Sequence, residues 1–365
     1  MTTDPWAVLV QLGGATAGEG STRTASLARA EVGDDLRDRY VATLIGGAVG
    51  DALGRPVERW ARADVDAAYR HGVRHFEPWR GWTSGPVGTI TDDTQLSLEV
   101  AGWLADAGQA WPLDGADFGR RVAAWLPVAR GAGFGSSSAA RRLADGVPWW
   151  ESGSPTQGNG VAMRSAAIGL RFQGDLDRLR AATAISGLAT HADTSAVSGG
   201  VVIAAMVSHL LTSRDREFDP SELVSVALDA IDGVPLEPHP LGGSGRTATL
   251  AESLASVPGM LDRPTYEVFD HFYNGSKVTE SLPTTVWLFC RYGAGDVEEL
   301  LVQACSGGRD ADSIAAMCGN LAGALHGLDA FPERWTGDDL EYRDDLEALA
   351  LRLHALRASE DADRR

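Results

Sequence analysis

From Asp34 onward the apolar residues of this chain recur at every third or fourth position, and they hardly ever alternate. Leu36, Tyr40, Leu44, Ile45, Ala48, Val49 and Ala52 illustrate the period. A turn of 3.6 residues brings such positions onto one helix face. The same spacing predicts helices over roughly 62–71, 92–106, 114–126, 137–145, 161–171, 175–189, 193–213, 220–231, 245–255, 264–273, 281–292, 296–305, 312–328 and 338–357. Short Gly, Pro and Asp turns separate them. No convincing series of alternating strand segments intervenes, so the chain reads as all-α. There is no low-complexity linker and no exact repeat at a solenoid period, which favours a single compact multi-helix domain. Its expected limits are 34–358, preceded by a flexible extension at 1–33 and followed by a charged tail at 359–365. Within the extension, the apolar piece from Trp6 to Leu12 has the character of a docking segment. Gly46, Gly47 and Gly50 inside the first helix predict close approach of another backbone.

Composition narrows the function classes. The 365 residues carry a net charge of −18. That opposes a general nucleic-acid surface, which needs clustered Lys and Arg, and adhesion to anionic membranes. Cys290, Cys305 and Cys318 are odd in number and show neither a zinc spacing nor a disulfide framework. The first residues lack the basic-then-apolar order of a secretory leader. No apolar run reaches the ~18 residues of a membrane span. The expectation is a soluble, cytoplasmic protein.

Two acidic knots stand out. Thr91-Asp92-Asp93-Thr94 opens one predicted helix, and Gly308-Arg309-Asp310-Ala311-Asp312-Ser313 opens another. Asp, Thr and Ser cap helices, and acidic first turns suit the helix dipole, so each knot alone is explained by capping. Capping, however, needs one side-chain acceptor, whereas each knot pairs two carboxylates with a hydroxyl. Oxygen donors without Cys or His suit a hard cation such as Mg²⁺ or Mn²⁺ rather than Zn²⁺. If the knots met, like charges ~4 Å apart would repel by about 4 kcal/mol per pair at an effective dielectric near 20. Such a cluster protonates or holds cations. Spacing alone does not say whether the knots meet.

Five blocks in order resemble the ADP-ribosylglycohydrolase family over roughly residues 38–328. They are Gly46–Gly54 leading to Glu58, Thr91–Thr94, Gly158–Arg164, Thr190-His191 with the Ala-Asp after it, and Gly308–Ile314 with a following Ala-Gly-Ala-Leu-His-Gly. The resemblance implies an all-α hydrolase that cleaves the glycosidic bond between ADP-ribose and a modified protein or other acceptor. It implies two Mg²⁺ or Mn²⁺ ions held by Thr91, Asp92, Asp93, Asp310, Asp312 and Ser313. Glu58 joins Asp92, Asp93, Asp310 and Asp312 as a catalytic candidate, placing water or gating the pocket. Thr156, Gln157, Gly158 and Asn159 resemble a diphosphate and ribose loop, and His191 resembles a residue near the distal ribose. Ser313 stands where many relatives have Thr, and Arg309 where some branches have Gly.

Other features stay open between structural and binding roles. Arg164 suits a buried ion pair as well as a ligand. Asp193 suits a helix cap or a support for His191. Gly131–Ser138 could border an adenosine, with Phe134 stacking on the base, or be a helix-entry turn. Trp149, Trp150, Trp79 and Trp82 are expected as packing aromatics. Two other functions fit the same residues: an immunity protein that blocks a partner ADP-ribosyltransferase through the 1–33 arm, and a two-metal phosphoesterase.

Overall fold

The structure, a computed structural model, describes residues 5–12, 27–78, 85–213, 218–242 and 245–363. In chain order the helices are α1 (Pro5–Leu12), α2 (Asp34–Gly54), α3 (Arg62–Ala68), α4 (Asp92–Ala107), α5 (Gly115–Trp125), α6 (Phe134–Ala144) and α7 (Ala166–Arg171). They continue as α8 (Leu176–Leu188), α9 (Thr194–Leu210), α10 (Pro220–Ala230), α11 (Leu250–Ser256), α12 (Thr265–Phe272) and α13 (Val278–Tyr292). The last are α14 (Val297–Ser306), α15 (Ala311–His326), α16 (Glu333–Thr336) and α17 (Arg343–Asp363). The expected all-α class holds. Among the described residues the only sheet is a two-residue antiparallel pair, β1 (His239–Pro240) and β2 (Thr247–Ala248).

The central pair is α2 against α15. Gly46, Gly50 and Gly54 recur every fourth residue on α2, and a Cβ on any of them would fall on the backbone of Gly319, Ala315 or Ala311. Gly319 and Gly323 of α15 meet Gly46 and Ala42 in the same way. The two backbones therefore touch, as the glycines of the first helix predicted. This contact fixes where the N-terminal turn of α15 lies relative to the C-terminal half of α2. Around the pair, fully buried Trp103, Trp287 and Trp335 anchor a continuous apolar core. All three cysteines are buried and free.

Described parts of both terminal segments are helical and packed on the body. Within the 1–33 extension, α1 is helical and Leu9 is buried against Ala184 and Val197 of α8 and α9. Arg180 stacks over Trp6. Residues 13–26 lie outside the described residues, as do Trp79 and Trp82. The charged residues after 358 continue α17 to Asp363. Glu360 pairs with the buried Arg171 at 2.7 Å, and Asp361 with Arg29 at 3.0 Å and with Arg357. Composition missed this because two of the matching guanidiniums, Arg171 and Arg29, lie far away in the sequence. No described helix is long and apolar enough to cross a membrane.

Candidate active site

The first acidic knot is held by its own cap and by α2. The Thr91 hydroxyl accepts the Asp93 N–H at 3.2 Å and donates to the Asp93 carboxylate at 3.1 Å. Below it lies Asp51, fully buried. Its carboxylate accepts the Thr91 N–H at 3.0 Å, the Thr94 N–H at 3.1 Å and the Thr94 hydroxyl at 2.6 Å. The two N–H groups are orphan donors at the start of α4, and Asp51 satisfies them from another helix. Asp51 escaped the sequence reading because it sits inside the glycine block, whose glycines drew the interpretation. A lone carboxylate on a buried helix face was the available signal.

The second knot opens α15. Asp310 occupies the N-cap position, yet its side chain makes no capping bond. It accepts the Asn159 amide at 2.6 Å instead. Asn159 also donates to Ser281 at 3.0 Å, which ties the 156–160 loop to α13. Asp312, two residues on and inside α15, lies 3.8 Å from the Arg55 guanidinium. Carboxylates of the two knots act on each other, Asp310 on Asp93 and Asp93 on Asp312, and both knots line one cavity with Ser313. The knots therefore converge.

Convergence has an electrostatic signature. Burial pushes the Asp92 carboxyl up to about 7 and the Asp310 carboxyl to about 6. Asp93 and Asp312 are driven well above the ordinary carboxylate range by burial and then by neighbouring carboxylates. Asp93 Oδ1 and Asp312 Oδ1 are buried with no hydrogen-bond partner among the described residues. Oxygen atoms left in that state suit a cation, and the donor set is that of a hard divalent ion. As placed, however, no group of three or more His, Cys, Asp or Glu side chains among the described residues closes into a metal-binding cluster.

Above the knots is a cavity of about 650 Å³. Asp92, Asp93, Asp310, Asp312 and Ser313 form part of its lining, together with Glu58, Thr156, Gly158, Asn159 and His191. Thr91 lies beneath them, fully buried. Gln157 does not line the cavity; its amide turns away to His239 Nδ1 at 2.7 Å. The loop is bridged at Gly158 to Lys277, and the Gln157 carbonyl accepts the Val278 N–H at 2.8 Å. Glu58 is held at the rim by Arg55 and, at 3.2 Å, by Arg59.

His191 is buried, and its Nδ1 lies 2.8 Å from the Thr190 hydroxyl. That hydroxyl accepts from Arg164 at 2.7 Å. Burial, with Arg164 nearby, pushes the imidazole down to about 3, so it is neutral near pH 7. Gly135, Gly158 and Gly160 pack round its Nε2 edge. Arg164 is fully buried, donates to Ser186 and Thr190, and braces His191 from behind. Asp193 caps α9 by accepting from Ala196 at 2.9 Å. Phe134 stands 75% exposed at the cavity mouth, where an aromatic face is available to a ligand. Trp149 and Trp150 pack edge to face on each other and do not line the cavity.

An all-α body built on an α2–α15 backbone contact, with two hydroxyl–carboxylate knots facing a glycine-lined cleft, belongs with the helical hydrolases. More narrowly, the chain belongs to the ADP-ribosylglycohydrolase family, whose model matches residues 33–363. An uncharacterised protein of Archaeoglobus fulgidus is 32% identical over 325 residues, covering 88% of this chain and 97% of its own. The ADP-ribosyl-[dinitrogen reductase] glycohydrolase of Rhodospirillum rubrum is 27% identical, covering 83% and 90%. A solved structure of an ADP-ribosylglycohydrolase-related protein complex superposes with a TM-score of 0.65 at 28% identity, covering 88% of this chain and 99% of that one. The family places the chain among the ADP-ribosyl hydrolases.

Proposed function

We propose that this protein hydrolyses the glycosidic bond between ADP-ribose and a modified acceptor, with two Mg²⁺ or Mn²⁺ ions in the acidic cradle. The observation that carries the metal reading is the pair of orphaned oxygens, Asp93 Oδ1 and Asp312 Oδ1, buried among carboxylates that repel one another. Asp92, Asp93, Asp310 and Asp312 would hold the ions, aided by Thr91 and Ser313. When bound, divalent cations offset this charge and polarise oxygen ligands.

The chain's own residues do the rest. Asn159 fixes the Asp310 carboxylate and Asp51 fixes the turn carrying Asp92 and Asp93. Backbone N–H groups of the Gly158 loop suit a diphosphate. Neutral His191 offers its Nε2 edge to a sugar hydroxyl without adding charge. Glu58, ion-paired with Arg55 and Arg59, suits a carboxylate that positions the attacking water. Water adds to the anomeric carbon as the bond to the acceptor breaks, through an oxocarbenium-like state, and the acceptor leaves with a proton.

The test is release of ADP-ribose from a panel of substrates. It would include arginine-linked and serine-linked peptides, ADP-ribosylated nucleic-acid ends and O-acetyl-ADP-ribose, each with and without Mg²⁺. Wild-type protein should release ADP-ribose from at least one, and a variant with Asp310→Ala and Asp312→Ala should release none. Full turnover by that variant, or AMP as the product, would refute the assignment.

A further inference from the structure

The cavity has two unlike walls. One gathers round His191: Gly133, Phe134, Gly135, Ser136 and Thr156 line it, and none carries a charge. The other gathers round Tyr273. It holds every charged lining residue outside the acidic knots, namely Glu58, Arg59, Lys277, Glu280 and Arg309. The walls join where Gly158 bridges Lys277 and Asn159 N–H donates to Ser276 O at 3.0 Å. A neutral wall of glycines, a hydroxyl and one exposed aromatic suits a nucleoside diphosphate held by backbone N–H groups. The charged wall is left for the group on the other side of the scissile bond.

Arg309 is the unusual member of that wall. Its φ is +53°, a left-handed conformation that glycine adopts freely and arginine does not. Its backbone is locked to the Glu58 arm: Arg59 N–H donates to Arg309 O at 2.6 Å, and Arg309 N–H to Trp60 O at 2.9 Å. Its guanidinium lies 4.0 Å from the Tyr273 ring centroid and donates to Tyr273 O at 2.9 Å and Asn274 Oδ1 at 3.0 Å. All these partners are neutral. Arg55 and Arg59 pair with Glu58, and Lys277 lies 3.9 Å from Glu280. Among the described residues, Arg309 has no carboxylate within 4.0 Å. Pinning the 273–275 turn does not require it, because the Asn274 amide already donates to Gly307 O at 3.1 Å and Gly308 O at 3.2 Å. Glu280 feels the Arg309 charge only from beyond ion-pair distance, so a stacked, pre-oriented cation with donors to spare and no carboxylate in contact is a receptor for an anion.

We propose that the charged wall is the acceptor subsite and that Arg309 is a specificity-determining residue. It selects protein acceptors bearing an acidic side chain next to the ADP-ribosylated residue. This inference rests on the hydrolase reading above.

The test uses the full chain with Mg²⁺ and matched ADP-ribosylated peptides, arginine-linked and serine-linked, flanked by Glu, Gln or Lys. Wild type should favour the Glu-flanked over the Gln-flanked peptide by about fivefold in kcat/KM, the scale of one half-exposed ion pair. Arg309→Gly, which relaxes the left-handed backbone, should abolish the preference without lowering Tm. Arg309→Glu should reverse it toward the Lys-flanked peptide, an outcome that a structural pin does not produce. Affinity for free ADP-ribose should change less than twofold in both variants. Turnover with no flank preference would overturn the Arg309 assignment alone. A tenfold loss of free ADP-ribose affinity in both variants would place Arg309 on the diphosphate and overturn it too. No release from any peptide would overturn this inference together with the hydrolase reading for protein acceptors, which the nucleic-acid and O-acetyl substrates would then separate.

Discussion

The carboxylate of Asp51, in the middle of α2, takes the hydroxyl of Thr94 at 2.6 Å and so holds the first turn of α4 from a different helix. It accepts backbone N–H groups of Thr91 and Thr94 as well. Asp92 and Asp93 lie between those two anchors, so their direction into the cavity depends on a residue that does not line it.

Replacing Asp51 with Asn would swap one accepting oxygen for an NH₂ group facing N–H donors. The expected cost is about 3 kcal/mol, the scale for leaving buried donors unsatisfied. A lower denaturant midpoint and a marked loss of Mg²⁺-dependent turnover should appear together. A variant of wild-type stability and activity would show that the α4 turn holds itself.

Cation binding should be visible without turnover. A ligand at a hundred times its Kd stabilises the folded state by about 2.7 kcal/mol. Mg²⁺ or Mn²⁺ should therefore raise Tm by several degrees, and EDTA should reverse the rise. In Asp312→Asn the rise should shrink. Its metal-free form should be at least as stable as wild type, because a repelling carboxylate has gone.

His191 sets an acid-side dependence. Its imidazole is pushed down to about 3 in the folded protein, against an ordinary value of 6.5. Between those values the unfolded chain binds a proton that the folded chain refuses. This contribution therefore lowers stability as pH falls, by about 1.4 kcal/mol per pH unit. Above pH 6.5 it vanishes. Denaturation of wild type and His191→Gln, compared from pH 7.5 to 4.5, should show the gap between them moving in favour of the variant on acidification. Parallel curves would contradict the burial of a neutral imidazole.

The helix-pair contact should tolerate no side chain. Gly50→Ala would drive a Cβ into the Ala315 carbonyl, a backbone atom with nowhere to move. Overpacking costs about 1–3 kcal/mol. Activity should fall further than stability alone explains, because Asp51 and Asp312 ride on the two helices being pushed apart. Chemical denaturation alongside turnover at a temperature where the variant remains folded separates the two effects.

Phe134 offers a contrasting case. It is 75% exposed, so Phe134→Ala should leave stability within about 0.5 kcal/mol. If its ring stacks on the base, affinity for ADP-ribose should drop by roughly fivefold or more, as loss of ~1–3 kcal/mol of base–aromatic stacking implies. Calorimetric titration of ADP-ribose reads this directly.

What could be read from the chain was what neighbours within about one helical turn decide. Apolar period located almost every helix, including α4, α9 and α15, because side-chain facing is set locally. The hydroxyl–carboxylate knots, the cap at Thr91 and the closeness demanded by Gly46 and Gly50 were legible for the same reason. Glycine-rich blocks also marked the 156–160 loop, but not that Gln157 would turn out toward His239. The direction of that side chain depends on pairing with the Lys277 strand-like segment, far along the chain.

Tertiary structure alone decided that the knots meet, that Asp51 anchors one of them, and that Asn159 holds the other. It also decided the unlike walls of the cavity and the ordered end of α17. The physical reason is that a carboxylate's role depends on which charges and donors surround it. Those arrive from segments brought together by the backbone contact of α2 with α15, not by adjacency in sequence. Local pattern determined the helices and the chemical groups available. Packing determined which of those groups share a site.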